Sequence, residues 1–507
     1  MFSGPKNNSL NFLDSFILVL ILVGNAVFLH FNAFRYFHFY DMCFSLDGGW
    51  RILNGQKPYV DFIYFSGPIH LYMHAFFLKL FGFGKAAIFA HLVVVHSLVI
   101  ILTYFMARRR MPDYFAWPVI ILTMTSFYWP VSHPWHDQSA HLWGILAIAV
   151  LIWQLPFKDK RHALATGGFL SLMAVLSFMT KTNIGAAYGL IFLVVCFSVK
   201  ERQKAVLGYF GGIVVGMLFM RLLISDPHRY FEQAFSYSLL TAHQRLSGFL
   251  NFSQWFVNYY WLPCLIILGN AWSYRRGLKE WMVLFAGIFF VAVVSIVSGQ
   301  MIQSANISLW GIFMTVGLIV FFKIPYPEKF LWRRKIYRLS AIFLMVITLG
   351  LIALSTRDGL NLQAWEYISG YPPSGNYNIA APALQGWSCD EVKGRVLDEL
   401  AVLISKKIPK NQSLLVLSDL QILYALTGRD SYRGIPILVL RENHMPVPGP
   451  QLLEVQERLR RNPPDWIVAD IDSYSQEIPY IGMGEEIKTH YYIVWYEAYY
   501  ALFKRKK

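Results

Sequence analysis

Apolar residues recur in blocks of spanning length at 12–31, 86–107, 114–131, 140–156, 163–179, 184–199, 205–224, 256–274, 281–298, 308–323 and 339–355. Each is near the roughly 20 residues a helix needs to cross a bilayer core, so the pattern predicts about eleven transmembrane helices. The block at 12–31 is too long, and too weakly basic at its start, for a cleaved signal peptide, and is predicted to stay as the first span. The connection at 32–85 is unusually long and carries helical periods at 44–53 and at Ile69–Phe81. The second has Leu71, Met73, Phe76, Phe77 and Leu80 but is too short to span. Both are predicted to lie along the membrane surface. A second long amphipathic connection, 225–255, is positioned to gate access from the bilayer.

Near position 356 the pattern changes. Helical periodicity appears at Glu391–Lys407 and 451–461, short apolar strands at 414–418 and 466–469, and a terminal strand or hairpin at 491–503. The chain therefore divides into a transmembrane unit, 1–355, and a small soluble α/β domain, 356–507. No glycine-rich phosphate loop follows either strand, which argues against a nucleotide-binding domain.

Composition sharpens this. Hydrophobic residues make up 56% of the 507-residue chain and charged residues 15%, against about 25% charged in a typical soluble domain. The net charge of +15 is not a nucleic-acid footprint. From position 356 onward there are 17 basic and 18 acidic residues, so the excess lies entirely earlier. There it sits in tight clusters at 108–110, 158–161, 200–204, 275–279 and 323–338, separated by connections nearly free of cations. The positive-inside rule puts these clusters in the cytoplasm. The N-terminus is then cytoplasmic, and an odd number of spans carries the C-terminal domain outside. Cys196 and Cys264 fall in apolar blocks. Cys43 and Cys389 face the same outer compartment, but their spacing alone does not establish a disulfide.

Acids are scarce in the transmembrane unit. On its outer side only Asp41, Asp47, Asp61, Asp137, Asp226 and Glu232 occur, so any outer-face acid–base chemistry draws on these or on a histidine. The first connection holds the densest set: Asp41, Asp47, Arg51, Lys57 and Asp61 among glycines and prolines. On a helix Asp47 and Arg51 are four apart and can pair. Asn54-Gly55 ends that helix, and Lys57-Pro58-Tyr59 turns the chain to present Asp61. An ordinary solvated connection would look similar. The segment from Ser132 to His141 carries His133, His136, Asp137 and His141. A divalent cation is compatible with these residue types, but the spacing fits no standard zinc pattern and Pro134 breaks the helix that would align His133 with His136. A sugar or phosphate contact surface fits better.

The first connection resembles the first extracytoplasmic loop of the GT-C glycosyltransferases, in particular those using polyprenyl-phosphate sugars (the RgtA-like, aminoarabinose and protein-mannosyl transferases). The matching residues are Asp41, Gly55-Gln56-Lys57-Pro58-Tyr59-Val60-Asp61-Phe62, Gly67-Pro68 and Leu80-Phe81-Gly82, in order and spacing. Thr180-Lys181-Thr182-Asn183-Ile184-Gly185 resembles the basic outer turn after the fifth span. The family's acidic pair is Asp41-Met42 here, and whether Asp47 takes the place of the missing acid is left open. The resemblance implies a transmembrane GT-C fold with an extracytoplasmic α/β domain. It also implies an inverting transferase that moves a sugar from a polyprenyl-phosphate donor to a lipid or glycan acceptor at the outer face.

On that reading Asp41 is the general base that the acceptor hydroxyl requires. Cations offset the charge growing on the leaving phosphate. Lys181 is the first choice, with Arg51, Lys57 and Arg221 behind it, although a lysine at this depth can also simply snorkel. Asp47, Tyr59, Asp61, His136, Asp137 and Asn183 complete the expected substrate contacts. A transporter of lipid-linked glycans is the rival, but it would carry ionisable groups at mid-membrane depth and internal repeats, and the blocks show neither. A receptor whose tail binds partners leaves the Asp41–Asp61 set unexplained.

Overall fold

The computed structural model describes residues 12–34, 36–128, 133–155, 157, 159–240, 260–272, 278–298, 308–324, 331–360, 377–437, 449–470 and 482–506. Every apolar block carries a helix: α1 (Phe12–Ala33), α4 (Lys85–Arg110), α5 (Asp113–Ser126), α6 (His136–Gln154), α7 (Lys160–Phe178), α8 (Thr182–Ser198), α9 (Arg202–Leu223), α11 (Trp261–Trp272), α12 (Lys279–Ser298), α13 (Trp310–Lys323) and α14 (Leu331–Leu360). Among the described residues four of them, α1, α4, α9 and α14, are long and apolar enough to cross a membrane. Their outward faces are apolar. Val19, Leu20 and Val23 on α1, Val214, Leu218 and Leu222 on α9 and Leu339, Ile342 and Val346 on α14 are all exposed. Water would not tolerate such faces, and lipid does, so this is an integral membrane protein.

Close helix packing is written into α7 and α9. A Cβ on Gly167 would lie 2.0 Å from the Ala205 carbonyl oxygen, and one on Gly208 would lie 2.0 Å from that of Leu164. Only glycine permits this approach, as at other small-residue membrane interfaces. Basic clusters gather at one end of the bundle. Arg108, near the end of α4, bridges Asp14 of α1 and Asp113 of α5. Arg110 and Lys323 both stand over the Trp281 ring, 5.5 and 4.3 Å from its centroid.

The first connection holds α2 (Phe39–Leu53) and α3 (Ile69–Phe81). α3 has the expected bounds and exposes Phe76, Leu80 and Phe81. α2 starts five residues before the expected 44, and it does not lie open along a surface. Residues 42–49 are all buried, because α3 packs on it and the C-terminal region covers it. The second long connection contains α10 (Pro227–Leu240); its part from 241 onward lies outside the described residues.

The described tail elements are β1 (Tyr377–Asn378), β2 (Ser388–Cys389), α15 (Glu391–Lys407), β3 (Leu414–Leu417), α16 (Leu423–Leu426), α17 (Gly449–Arg461), β4 (Trp466–Asp470), α18 (Gly484–His490), β5 (Tyr491–Glu497) and β6 (Tyr500–Arg505). The strands expected at 414–418 and 466–469 pair in parallel, Leu414 with Trp466 through Leu417 with Ala469. The expected terminal segment is the β5–β6 hairpin, giving a sheet of order β3-β4-β6-β5. Asp390 caps α15 by accepting from the Lys393 amide at 3.0 Å, which leaves one fewer open donor at the helix start.

The tail is stitched to the first connection through backbone. Gly434 N donates to Asp61 O at 2.5 Å, Ile63 N to Ile435 O at 3.2 Å and Ile437 N to Ile63 O at 3.3 Å. Trp387 Nε1 adds a bond of 2.9 Å to the Ala33 carbonyl at the end of α1. Cys43 and Cys389 are both buried free thiols and form no disulfide.

Candidate active site

Two turns that the sequence singled out meet in space. A Cβ on Gly67 would stand 1.9 Å from the Met179 carbonyl oxygen, so glycine is what lets the first connection rest on the turn between α7 and α8. Ile69 N donates to Met179 O at 3.1 Å, and Ser66 Oγ donates to Thr180 O at 3.0 Å. The next residue is Lys181. Its ammonium bonds Asp137 Oδ1 in the first turn of α6, and His136 Nε2 lies 3.1 Å from the same oxygen. The Lys181, Asp137 and His136 side chains are only 12%, 8% and 13% exposed. A cation, a carboxylate and an imidazole thus share one nearly enclosed spot, where fields are stronger than in water.

Two other buried histidines, His141 and His70, are committed elsewhere. His141 has its ring nitrogens 3.1 Å from Tyr188 Oη and 2.9 Å from Ser295 Oγ. His70 lies between Ser45 Oγ at 2.9 Å and Ser139 Oγ at 3.0 Å. Among the described residues no three histidine, cysteine or acidic side chains converge as a metal centre would require.

Asp41 is in the first turn of α2, and its side chain lies outside the described residues. One turn later Ser45 Oγ donates to the Pro134 carbonyl at 3.0 Å, which brings this part of α2 against the segment that leads into His136.

Asp47 and Arg51 pair as their spacing suggested, with Nε to Oδ2 at 2.6 Å and neither side chain exposed. They face the tail. Ser431 Oγ donates to Asp47 Oδ1 at 2.6 Å, and Arg51 donates to the Tyr432 carbonyl at 2.8 Å and to Gln56 Oε1 at 3.2 Å. Gln56 Nε2 in turn donates to the Ser431 carbonyl at 2.6 Å. Burial raises the Asp47 carboxyl above its ordinary value, while Arg51 and the Ser431 hydroxyl pull it back. Asp61 accepts from the Lys57 amide at 2.8 Å and lies 3.3 Å from Arg433.

The remaining expected residues spread out. Tyr59 is buried at φ +69°, and its hydroxyl donates to the Ser66 carbonyl. Asn183 accepts from the Ile184 amide at 3.0 Å. Lys57 and Arg221 are exposed. Sequence reasoning missed Gln56, Gln233, Ser431 and Tyr432. Gln56 sat inside the turn at 55–62; the other three carry no local signal, because their partners in the first connection are more than 160 positions away.

No protein-family model and no curated protein matches the chain. Solved structures do. The structure described as ArnT from Cupriavidus metallidurans bound to undecaprenyl phosphate is 12% identical, with a TM-score of 0.55, covering 96% of this chain and 98% of that one. The apo form of the same protein gives 13% identity and a TM-score of 0.54, covering 97% and 98%. The archaeal oligosaccharyltransferase AglB from Archaeoglobus fulgidus, in complex with an inhibitory peptide and a dolichol-phosphate, gives 12% identity and a TM-score of 0.48, covering 98% and 75%. Along almost its whole length, the chain has the fold of the GT-C membrane glycosyltransferases.

Proposed function

We propose that the protein is an inverting glycosyltransferase that moves a sugar from a polyprenyl-phosphate donor to an acceptor hydroxyl at the outer membrane face. The observation that carries this is the enclosed Lys181–Asp137–His136 cluster, formed where the first connection seats on the α7–α8 turn. Its support is the shared fold with a protein whose structure holds undecaprenyl phosphate. Asp137 already partners the nearly buried Lys181 ammonium, and the leaving polyprenyl phosphate is a second anion that this ammonium can serve at the edge of the apolar bundle.

In this reading Asp41 accepts the proton of the acceptor hydroxyl as that oxygen bonds the anomeric carbon from the face opposite the phosphate. The bond from the anomeric carbon to the phosphate oxygen breaks, its electron pair stays on the phosphate, and Lys181 stabilises the added charge. His136 and Asp137 hold the ammonium in position. Asp47, Arg51 and Asp61 fix the first connection to the tail. The topology that goes with it has about eleven spans, a cytoplasmic N-terminus and an outer tail. The gathering of basic residues at the far end of the bundle supports it.

The test is to incubate the purified, detergent-solubilised protein with a panel of labelled polyprenyl-phosphate sugars. With a lipid or glycan acceptor supplied, or water attacking in its place, release of polyprenyl phosphate from at least one donor is expected. No release from any, together with movement of intact donor across a vesicle membrane, would replace this reading by the transporter.

A further inference from the structure

A cavity of about 360 Å³ opens between the turn of the first connection, α10 and α17 of the tail, away from the Lys181 cluster. Its charged side chains are largely paired with one another. Arg229 lies 3.6 Å from Asp226 and 3.3 Å from Glu454, and Arg458 lies 3.4 Å from Glu454. A balanced set of this kind has no single-sign field to draw an anion.

Gln451 is different. It lines the cavity and is 5% exposed, yet among the described residues neither Nε2 nor Oε1 has a hydrogen-bond partner. A buried carboxamide without partners destabilises a fold, and a ligand that completes it accounts for its presence. Tyr59 also lines the cavity and is held at φ +69°, a conformation non-glycine residues rarely adopt and one that clusters at ligand sites. Gln233 fixes it there by donating to its carbonyl at 3.3 Å. From Tyr59 a run of rings leads back to the candidate active site. Tyr59 to Tyr64 is 6.1 Å, Tyr64 to Phe44 is 5.2 Å and Phe44 to His136 is 6.0 Å between centroids.

We infer that this crevice binds a neutral sugar ring of the acceptor, with Gln451 as its recognition residue. The inference rests on the sugar-transfer reading and names its acceptor class. A carboxamide offers N–H donors beside a carbonyl acceptor, which suits neighbouring hydroxyls that both give and take hydrogen bonds. Paired carboxylates and guanidiniums do the same without favouring a charged guest. Phe62 and Ile63 supply apolar surface for the C–H face of a ring. The volume lies in the range of ordinary small-ligand sites.

The full-length protein in nanodiscs would be titrated with methyl glycosides of glucose, galactose, mannose and N-acetylglucosamine, followed by saturation-transfer NMR. At least one should bind, and Gln451→Leu should weaken it tenfold or more. Because Gln451→Leu removes two unpartnered polar atoms at nearly constant volume, its melting temperature should equal or exceed that of the wild type. Glu232→Trp, at the cavity edge, is a second variant that blocks the site without touching a core residue. Binding untouched by both variants, binding of no glycoside, or competition by inorganic phosphate would each overturn the inference. Hydrolytic release of polyprenyl phosphate from donor, with water as the nucleophile in place of the acceptor, separates the outcomes. If it persists while the crevice fails these tests, only the acceptor site is lost.

Discussion

Ser431 donates a 2.6 Å hydrogen bond to Asp47 across 384 positions of sequence. The carboxylate that receives it is also bound to Arg51, and neither member of that ion pair is exposed. The tail thereby becomes the lid over α2, and the first connection is held from both sides: by the tail at Asp47 and by the α7–α8 turn at Gly67. Removing one partner leaves a charge with no water to receive it. Asp47→Ala should therefore cost about 3–5 kcal/mol of stability, whereas the double change Asp47→Leu with Arg51→Met should recover most of it. Thermal unfolding of the solubilised protein measures both. Equal losses in the single and double variants would mean that the pair does not couple the two regions.

Lys181→Ala should slow release of polyprenyl phosphate by roughly thirty- to a thousandfold, as expected from about 2–4 kcal/mol of lost transition-state stabilisation. The loss should appear in kcat as well as in donor KM, since the charge grows as the bond breaks. A snorkelling lysine would leave both constants unchanged. Asp137→Asn should produce a smaller loss, because it frees the ammonium without removing it.

Asp41→Asn should fold and reach the membrane but lose roughly a hundred- to ten-thousandfold in transfer, the range for loss of a positioned base. Donor binding should be retained. Turnover near that of the wild type would move the proton acceptor to another group, and Asp137 is the carboxylate already beside the lysine.

The apolar helices and the tail strands were legible because they are local. Period and composition fix where helices and strands begin, and Leu414, Trp466 and the 491–503 segment carry that signal themselves. The turn motif was legible for a similar reason, since Gly55 at φ +75° and Gly67 against Met179 each need a glycine that any reader of the chain can see. The burial of α2 was not legible. The residues that cover it, Ser431 and Tyr432, look like ordinary loop residues, and nothing in their neighbourhood says which helix they will meet. The same holds for Gln451, whose polarity reads as surface until its surroundings are known. The pairing of Lys181 with Asp137 stood between the two: both were marked as site residues, but only the packing of α6 on α8 joins them.

The cysteines give a pH-dependent check. Burial pushes the Cys389 thiol from its ordinary value of 9.0 up to about 12, and pushes Cys43 well above it. The folded state thus holds these protons more tightly than the unfolded chain. Their contribution to stability is fully present below about pH 9 and fades as pH climbs toward 12. Thiolate, the reactive form, is scarce below that range. Neither thiol should react with a maleimide at pH 7 in the native protein, and both should react after unfolding without reductant. A requirement for reductant would reveal a disulfide.

That quiet background makes a topology test practical. Cysteine introduced at Lys406, exposed on α15, should react with an impermeant maleimide in intact cells, and cysteine at Lys335, exposed near the start of α14, should react only after permeabilisation. The expectation follows from five basic clusters that agree on one side of the membrane. Two of them, 108–110 and 323–338, are brought together at one end of the bundle, where Arg108 meets Asp14 and where Arg110 and Lys323 share Trp281. The candidate site residues Asp137 and Lys181 begin α6 and α8, while Arg108, Arg110 and Lys323 close α4 and α13. Charge distribution and helix direction are separate properties, and helix direction sets Asp137 and Lys181 at the bundle end away from Arg108, Arg110 and Lys323. Labelling of the 335 position in intact cells would invert the bundle. It would also put Lys181 and Asp137 on the cytoplasmic side, and a transferase working at the outer face would then be excluded whatever its fold.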